Sequence, residues 1–118
     1  MVATETAAVL EKFREEAGEG RRAADGPEAT LQALAMSQVG LLLVHEDPDD
    51  SRTAWFGPDP GQVGLTSEEV KAMGVDDPQQ ARLTDVALRA ALGTGADVRV
   101  VPSAGGPTGG LGAILRWS

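Results

Sequence analysis

The stretch GGPTGGLGAILRW, Gly105 to Trp117, has the glycine content of a loop that could hold a phosphate group. A phosphate loop places glycines between a strand and a helix, because the start of the helix supplies aligned N–H groups and a positive dipole end. Here the glycines lead into AILRW, whose β-branched and aromatic residues favour a strand. By the same criterion, GTGADV, Gly93 to Val98, is not expected to bind phosphate, because it ends a helix instead of preceding one. We therefore expect the turn of a hairpin in this stretch, and no cofactor.

His45 is the only histidine of the chain and the natural candidate for acid–base chemistry near neutral pH. It follows the apolar run Leu41 to Val44 and precedes Glu46 and Asp47. A general base needs a pocket and a polar partner, which one of those carboxylates could supply. A lone histidine at the end of a strand is more often structural. We favour the structural role and keep a small enzyme that uses His45 as an alternative.

Four acids surround Pro48 and could hold a divalent cation: Glu46, Asp47, Asp49 and Asp50. Calcium-binding loops place a glycine between their carboxylate residues, and this cluster contains no glycine. We therefore expect a solvated acidic loop without a metal. The sequence leaves open whether Glu46 to Asp50 binds a cation.

The composition limits the classes of partner. With 18 acidic and 10 basic residues in 118, the chain carries a net charge of −8, which disfavours attraction to a nucleic-acid backbone. The lack of cysteine excludes disulfides and thiolate metal sites. No apolar run approaches the ~20 residues of a membrane span, and the first residues lack the order of a signal peptide. We expect a cytoplasmic domain without membrane contact.

Helical and strand signals alternate along the chain. A first helix is predicted over Thr4 to Ala17, and a second from a cap at Asp25 to near Ser37, with Pro27 and Glu28 in its first turn. A third is predicted from a capping box of Thr66 and Glu69 to Gly74. A fourth is predicted from Asp77 to Gly93. Strands are predicted over Leu41 to Val44, Thr53 to Phe56, Val98 to Val101 and Leu111 to Trp117. The unbroken apolar run Leu41 to Val44 indicates a strand that is covered on both faces. This order favours an α/β sandwich around a mixed sheet.

Two separate stretches resemble the third domain of the eukaryotic and archaeal class-I translation termination factor. GTGADVRVVPSAGGPTGGLGAILRWS is similar to the end of that domain, where a helix, a valine-rich strand and a loop lead to a Gly-Gly-x-Gly-x-Ile-Leu-Arg-aromatic strand. The matching residues are Gly109, Gly110, Gly112, Ile114, Leu115, Arg116 and Trp117. ATLQALAMSQVGLLLVHEDPDD, Ala29 to Asp50, is similar to the helix, turn and apolar strand of the same domain. The ribosome-rescue protein Pelota ends similarly, and the likeness extends to bacterial release-factor-like proteins.

The resemblance implies a three-layer α/β/α sandwich of the kink-turn-binding ribosomal protein fold, used as a docking module. It implies a domain over residues 25–118, and a helix and linker over residues 1–24 that lead in from an upstream domain. In the family, peptidyl-tRNA hydrolysis belongs to another domain, whose Gly-Gly-Gln loop this chain lacks. Pro60-Gly61-Gln62 is the nearest approach, and we interpret it as coincidence. The resemblance therefore predicts a docking domain that is not an enzyme.

RNA binding is the alternative that the fold suggests. Kink-turn binders carry an Asn-Glu pair and a lysine at the start of the second helix, and the matching positions here are Glu28, Ala29 and Gln32. An acid in place of an amide, and no cation, would repel RNA. An RNA binder would also gather Arg21, Arg22, Arg82 or Arg89 on one face. Direct RNA binding is therefore not expected.

The resemblance also implies a partner surface near the glycine-rich loop, with Thr108, Gly109, Gly110, Leu111 and Arg116 as candidate contacts. The partner would be the ribosome or a translational GTPase. Members of the family tend to carry an apolar aromatic where this chain has Thr108. A structural alternative is that Gly109, Gly110 and Gly112 only let the closing strand approach a helix.

Overall fold

The computed structural model describes residues 8, 11–13, 15, 23–45, 51–101 and 107–116. Its strands are β1 Ala23–Asp25, β2 Val39–Val44, β3 Thr53–Phe56, β4 Val63–Gly64, β5 Gln79–Arg82, β6 Asp97–Val100 and β7 Leu111–Leu115. Its helices are α1 Pro27–Ala35, α2 Ser67–Lys71 and α3 Leu83–Gly93, with a 3₁₀ turn at Thr108–Gly110. Residues 8, 11–13 and 15 are also helical. Within these ranges, no helix is long and apolar enough to cross a membrane.

The main sheet has the strand order β1-β7-β2-β6. β2 runs parallel to β6 and antiparallel to β7, and β7 runs antiparallel to β1. The predicted mixed sheet is therefore confirmed. The predicted hairpin is wrong, because β6 and β7 lie on opposite sides of β2 and do not pair. Thr108–Gly110 instead lies just before β7, which pairs with the edge of β2 opposite to that of β6.

Both faces of β2 are buried, as its apolar run predicts. Leu42 and Val44 face the core that α1 and α3 cover, where they join Leu34 and Val86. Leu43 faces the opposite side and packs in a cluster with Phe13 and Val101. Because successive side chains of a strand point to opposite faces, an apolar residue at every position is required here. The sheet thus lies between α1 and α3 on one side and the helical residues 11–13 on the other.

A second, three-stranded sheet was not expected from the sequence. Its order is β4-β3-β5, and both outer strands run antiparallel to β3. The segment Gln79–Arg82 was predicted as the first turn of a helix but forms β5, so that α3 begins only at Leu83. The Gln80 amide donates to Thr53 Oγ1 at 2.8 Å across the two strands. Tertiary pairing of this kind overrides local helix signals.

The predicted capping box of α2 is present in a shifted form, because Glu69 accepts from the N–H of Leu65, the residue before the cap, and not from that of Thr66. Thr66 Oγ1 accepts a hydrogen bond from the Glu69 N–H at 3.2 Å, and the Glu69 carboxylate accepts one from the Leu65 N–H at 3.0 Å. The turn after the helix ends at Gly74, whose φ of 95° is in the left-handed region. The two polar groups and the glycine together set both ends of this short helix.

The predicted cap of α1 is wrong, although its first-turn proline is confirmed. Asp25 lies in β1, and Gly26 is the capping residue, without a side-chain cap. The Gly26 N–H donates to Leu111 O at 2.9 Å, which ties the start of α1 to β7. Glu28 is exposed in the first turn, and the N–H of the capping residue Gly26 is used by Leu111 O rather than by the Glu28 carboxylate. Pairing of β1 with β7 therefore decides where α1 begins.

The segment before residue 25 contributes to the sheet. Ala23–Asp25 pairs with β7, and Phe13 is buried against its outer face. A Cβ at Gly112 would lie 2.9 Å from Phe13 Cζ and 2.6 Å from Pro107 Cβ. The structural role foreseen for this glycine, a close approach to a helix, is met at Gly112. The division of the chain at residue 25 stays a prediction.

We expect Gly112→Ala to lower the free energy of unfolding by about 2 kcal/mol, because the added methyl group overpacks the contact with Phe13 and Pro107. Urea unfolding measures the change. Gly40→Ala in the neighbouring β2 is the matched control, since its Cβ would meet only the flexible Arg116 Cγ at 3.3 Å and backbone atoms beyond. Equal effects of the two substitutions would contradict the prediction.

Candidate partner interface

The turn Thr108–Gly110 stands at the start of β7 and has a left-handed backbone at two residues. Gly109 has φ 67° and Gly110 has φ 78°, and the Gly110 N–H donates to Pro107 O at 3.1 Å. A Cβ at Gly109 would lie 3.1 Å from Pro27 Cδ at the start of α1. Gly109 is exposed, whereas the side chain of Thr108 lies outside the described set. Glycine is therefore required here by both conformation and space.

His45 contacts this turn from the end of β2. Its backbone N–H donates to Gly110 O at 2.8 Å, and its ring Nδ1 lies 3.1 Å from Val101 O, an acceptor for the Nδ1–H tautomer. Because β2 and β6 are parallel, their carboxyl ends meet at this edge of the sheet. His45 thus joins the ends of two strands to the glycine turn, as the structural hypothesis for it requires.

Arg52 is a residue of this region that sequence reasoning missed. Its guanidinium Nη2 donates to Gly109 O at 2.6 Å, and its own carbonyl accepts from the Leu83 N–H at 2.9 Å. The first contact joins residues 57 positions apart in the chain. An arginine just before a strand has no local signature for such a contact. The contact depends on the tertiary arrangement that brings the start of β3 beside the start of β7.

The other two predicted interface residues lie apart from the turn. Leu111 is 2% exposed, and its side chain belongs to the core beneath α1 and α3. Arg116 follows β7 and donates to Thr94 O at 2.7 Å, beyond the end of α3. The five residues of β7 separate it from the turn by roughly 17 Å. The structure brings Thr108–Gly110 together with His45 and Arg52, and leaves Arg116 at the opposite end of the strand.

The remaining chemical candidates are the acidic cluster and the segment Pro60-Gly61-Gln62. The acidic cluster Glu46 to Asp50 lies outside the described residues. Among the residues that the structure does describe, no group of three His, Cys, Asp or Glu could hold a metal ion. Gln62 closes the turn between β3 and β4, since its amide oxygen accepts from the Asp59 N–H at 3.0 Å and its carbonyl accepts from the Gly57 N–H at 2.8 Å. These contacts give Pro60-Gly61-Gln62 a structural role.

Of the four arginines foreseen for an RNA-binding face, Arg89 has contacts within the domain. The Arg89 guanidinium lies 4.9 Å from the centroid of the Phe56 ring and donates to Pro58 O at 3.0 Å. Arg82 occupies the N-cap position of α3 without a side-chain cap, and Arg21 and Arg22 lie outside the described ranges. On α1, Glu28 and Gln32 are exposed and Ala29 packs against the core. The positions where kink-turn binders carry their contacts thus present an acid and a neutral amide.

No protein-family model matches the sequence, and no curated protein matches it significantly. Solved structures do match: the C-terminal domain of a peptide chain release factor from Methanosarcina mazei (TM-score 0.63, 16% identity), Archaeoglobus fulgidus Pelota (0.60, 19%) and an archaeal translation termination factor, aRF1 (0.59, 22%). Each superposition covers 97–98% of this chain. The chain has the fold of these domains.

The likeness predicted from the sequence is confirmed at the level of the fold. The chain spans 30% of the Pelota structure and 26% of the aRF1 structure, but 83% of the isolated release-factor domain. It therefore corresponds to one domain of those longer proteins. At 16–22% identity the likeness shows the fold alone.

We expect Arg52→Ala to lower the free energy of unfolding by about 1 kcal/mol, because an exposed charge-assisted hydrogen bond to Gly109 O is lost. It is also expected to speed amide exchange at Gly110 as the turn loosens. Urea unfolding and hydrogen-exchange NMR measure the two effects. Lys71→Ala, at an exposed cation on α2, is the control. Unchanged exchange at Gly110 would show that Arg52 does not hold the turn.

Proposed function

We propose that this chain is a non-catalytic docking domain of a bacterial release-factor-like protein, acting by contact with the ribosome or a translational GTPase. The observation that carries the proposal is the turn Thr108–Gly110, which Arg52 and His45 fix in place on a fold shared with translation termination factors. In this proposal the contacting residues are Thr108, Gly109 and Gly110.

The geometry of the turn suits docking. Three hydrogen bonds fix its backbone: Gly110 N–H to Pro107 O, His45 N–H to Gly110 O, and Arg52 to Gly109 O. A segment that is already ordered loses little conformational entropy when a partner binds. Gly109 is exposed, so a partner surface can approach the backbone closely.

The contacts of His45 support a non-catalytic role. Its Nδ1 is 3.1 Å from Val101 O, and its N–H is committed to Gly110 O. A general base needs a cavity that admits a substrate. His45 does not line the groove between α1 and α2, so that groove gives it no place for a substrate. We therefore prefer docking to an enzyme that uses His45.

The longer neighbours support a place within a larger protein. Since this chain matches 26–30% of two of them, we propose that it works together with an upstream domain. Any hydrolytic activity would then belong to that domain, because this chain contains no Gly-Gly-Gln.

We expect Gly109→Ala to weaken binding to purified bacterial ribosomes, or to a purified translational GTPase, by about tenfold, a change of ~1.4 kcal/mol. The added Cβ would lie 3.1 Å from Pro27 Cδ and 3.2 Å from Arg52 Nη1, and would displace the turn. Gly74→Ala is the matched control, since it carries the same left-handed penalty with nothing within 4 Å. Co-sedimentation and fluorescence anisotropy measure the affinities. Equal binding by both variants would refute docking through the turn.

A capture experiment separates protein contact from RNA contact. The wild-type domain is immobilised in a bacterial lysate with and without nuclease, and the retained proteins are identified by mass spectrometry. A translational GTPase or ribosomal proteins retained after nuclease treatment would support docking by protein contact. Loss of all retained material on nuclease treatment would favour the RNA-binding alternative, despite the net charge of −8.

A further inference from the structure

A groove of about 480 Å³ lies between α1 and α2, and most of its lining is apolar. Its lining residues are Leu31, Gln32, Ala35, Met36, Val63, Glu69, Ala72 and Met73. Leu31 and Val63 are each 2% exposed and form the floor. Met36, at the end of α1, is 59% exposed, and Met73, after α2, is 39% exposed. Each wall of the groove therefore ends in a methionine that is open to water.

The two methionines suit the recognition of a helix. Exposed apolar surface costs about 25 cal/mol per Å² relative to burial, so a partner that covers both side chains gains free energy. Methionine is unbranched and polarisable, and methionine-rich grooves accept amphipathic helices of varied sequence. α1 has nine residues and is about 14 Å long, which matches two to three turns of a bound helix.

The charges around the groove favour a partner with positive charge. The charged lining residue is Glu69, and no lysine or arginine is among the lining residues. Glu28 lies one helical turn before Gln32 on α1 and is exposed, and Glu68 is exposed beside Glu69. Lys71 stands on α2 but does not line the groove. With a net charge of −8 on the chain, cationic side chains at the rim of the groove are favoured.

We propose that this groove binds an amphipathic helix of a partner protein, with an apolar stripe between Met36 and Met73 and lysine or arginine on its flanks. The surface is distinct from the glycine turn, because Gly109 lies against Pro27 at the first residue of α1 and Met36 follows its last. The proposal stands whether or not the turn docks to a translation partner.

The three methionines of the chain permit a direct test. The protein is labelled with ¹³C at the methionine methyl groups and titrated with a helical peptide of about 14 residues, built from leucine at helical spacing and lysine elsewhere. The expected result is that the Met36 and Met73 signals shift. A peptide with glutamate in place of lysine is expected to leave both signals unchanged. Raising NaCl from about 50 to 500 mM should lower the affinity of the lysine peptide for the groove by a factor of at least about three.

A matched pair of variants tests the charge argument. Gln32→Lys places a cation on the wall of the groove and is expected to lower the affinity of the lysine peptide by about fivefold. Gln79→Lys adds the same charge at an exposed position of β5 and should leave the affinity unchanged. Both changes are at exposed side chains, so both variants are expected to fold.

Three outcomes would overturn the proposal. Unshifted Met36 and Met73 signals would exclude helix binding in the groove. Equal shifts with the lysine and glutamate peptides would remove the preference for a basic partner. Shifts that depend on protein concentration without peptide would assign the groove to a second copy of the chain.

Discussion

The burial of β2 on both faces and along both edges is the constraint on which the rest of the structure depends. Leu42, Leu43 and Val44 are at most 1% exposed, so water cannot satisfy the backbone of this strand. β6 pairs with one edge and β7 with the other. Pairing continues past the strand, where Val44 O accepts from the Val101 N–H and His45 N–H donates to Gly110 O, both at 2.8 Å. The position of the glycine turn follows from completing these bonds.

This constraint also explains the composition of the turn. A chain that leaves β6 and enters β7 must cross the end of β2, and then reverse direction beside His45 and Pro27. A Cβ at Gly109 or Gly110 would lie 3.1–3.4 Å from atoms of those two residues, and both glycines have positive φ. A loop between adjacent strands would meet neither neighbour. The two glycines are thus required by a crossover connection. The same residue type is also typical of a hairpin turn, which is why the prediction of a hairpin was wrong.

The sequence predicted the elements whose signal is local. The apolar run of β2, the capping box of α2 and the helical face of α3 each need only neighbouring residues, and each was found. β1, β4 and β5 have two to four residues and form by pairing with distant strands, which periodicity cannot detect. Arg52 likewise acts on a residue 57 positions away. At the candidate interface, the sequence identified Gly109 and Gly110 as candidates but not the Arg52 side chain that bonds to Gly109 O.

Helix α1 links the two surfaces of the molecule. Its first residue, Pro27, packs beside the glycine turn, and Met36 directly follows its last residue at the groove. Its inner face is fixed by Leu31 and Leu34, which are at most 2% exposed in the core. Pro27 and Met36 lie at opposite ends of this nine-residue helix, about 14 Å apart, which exceeds the separation at which two sites usually couple. If both proposed surfaces bind partners, we therefore expect the two binding free energies to add.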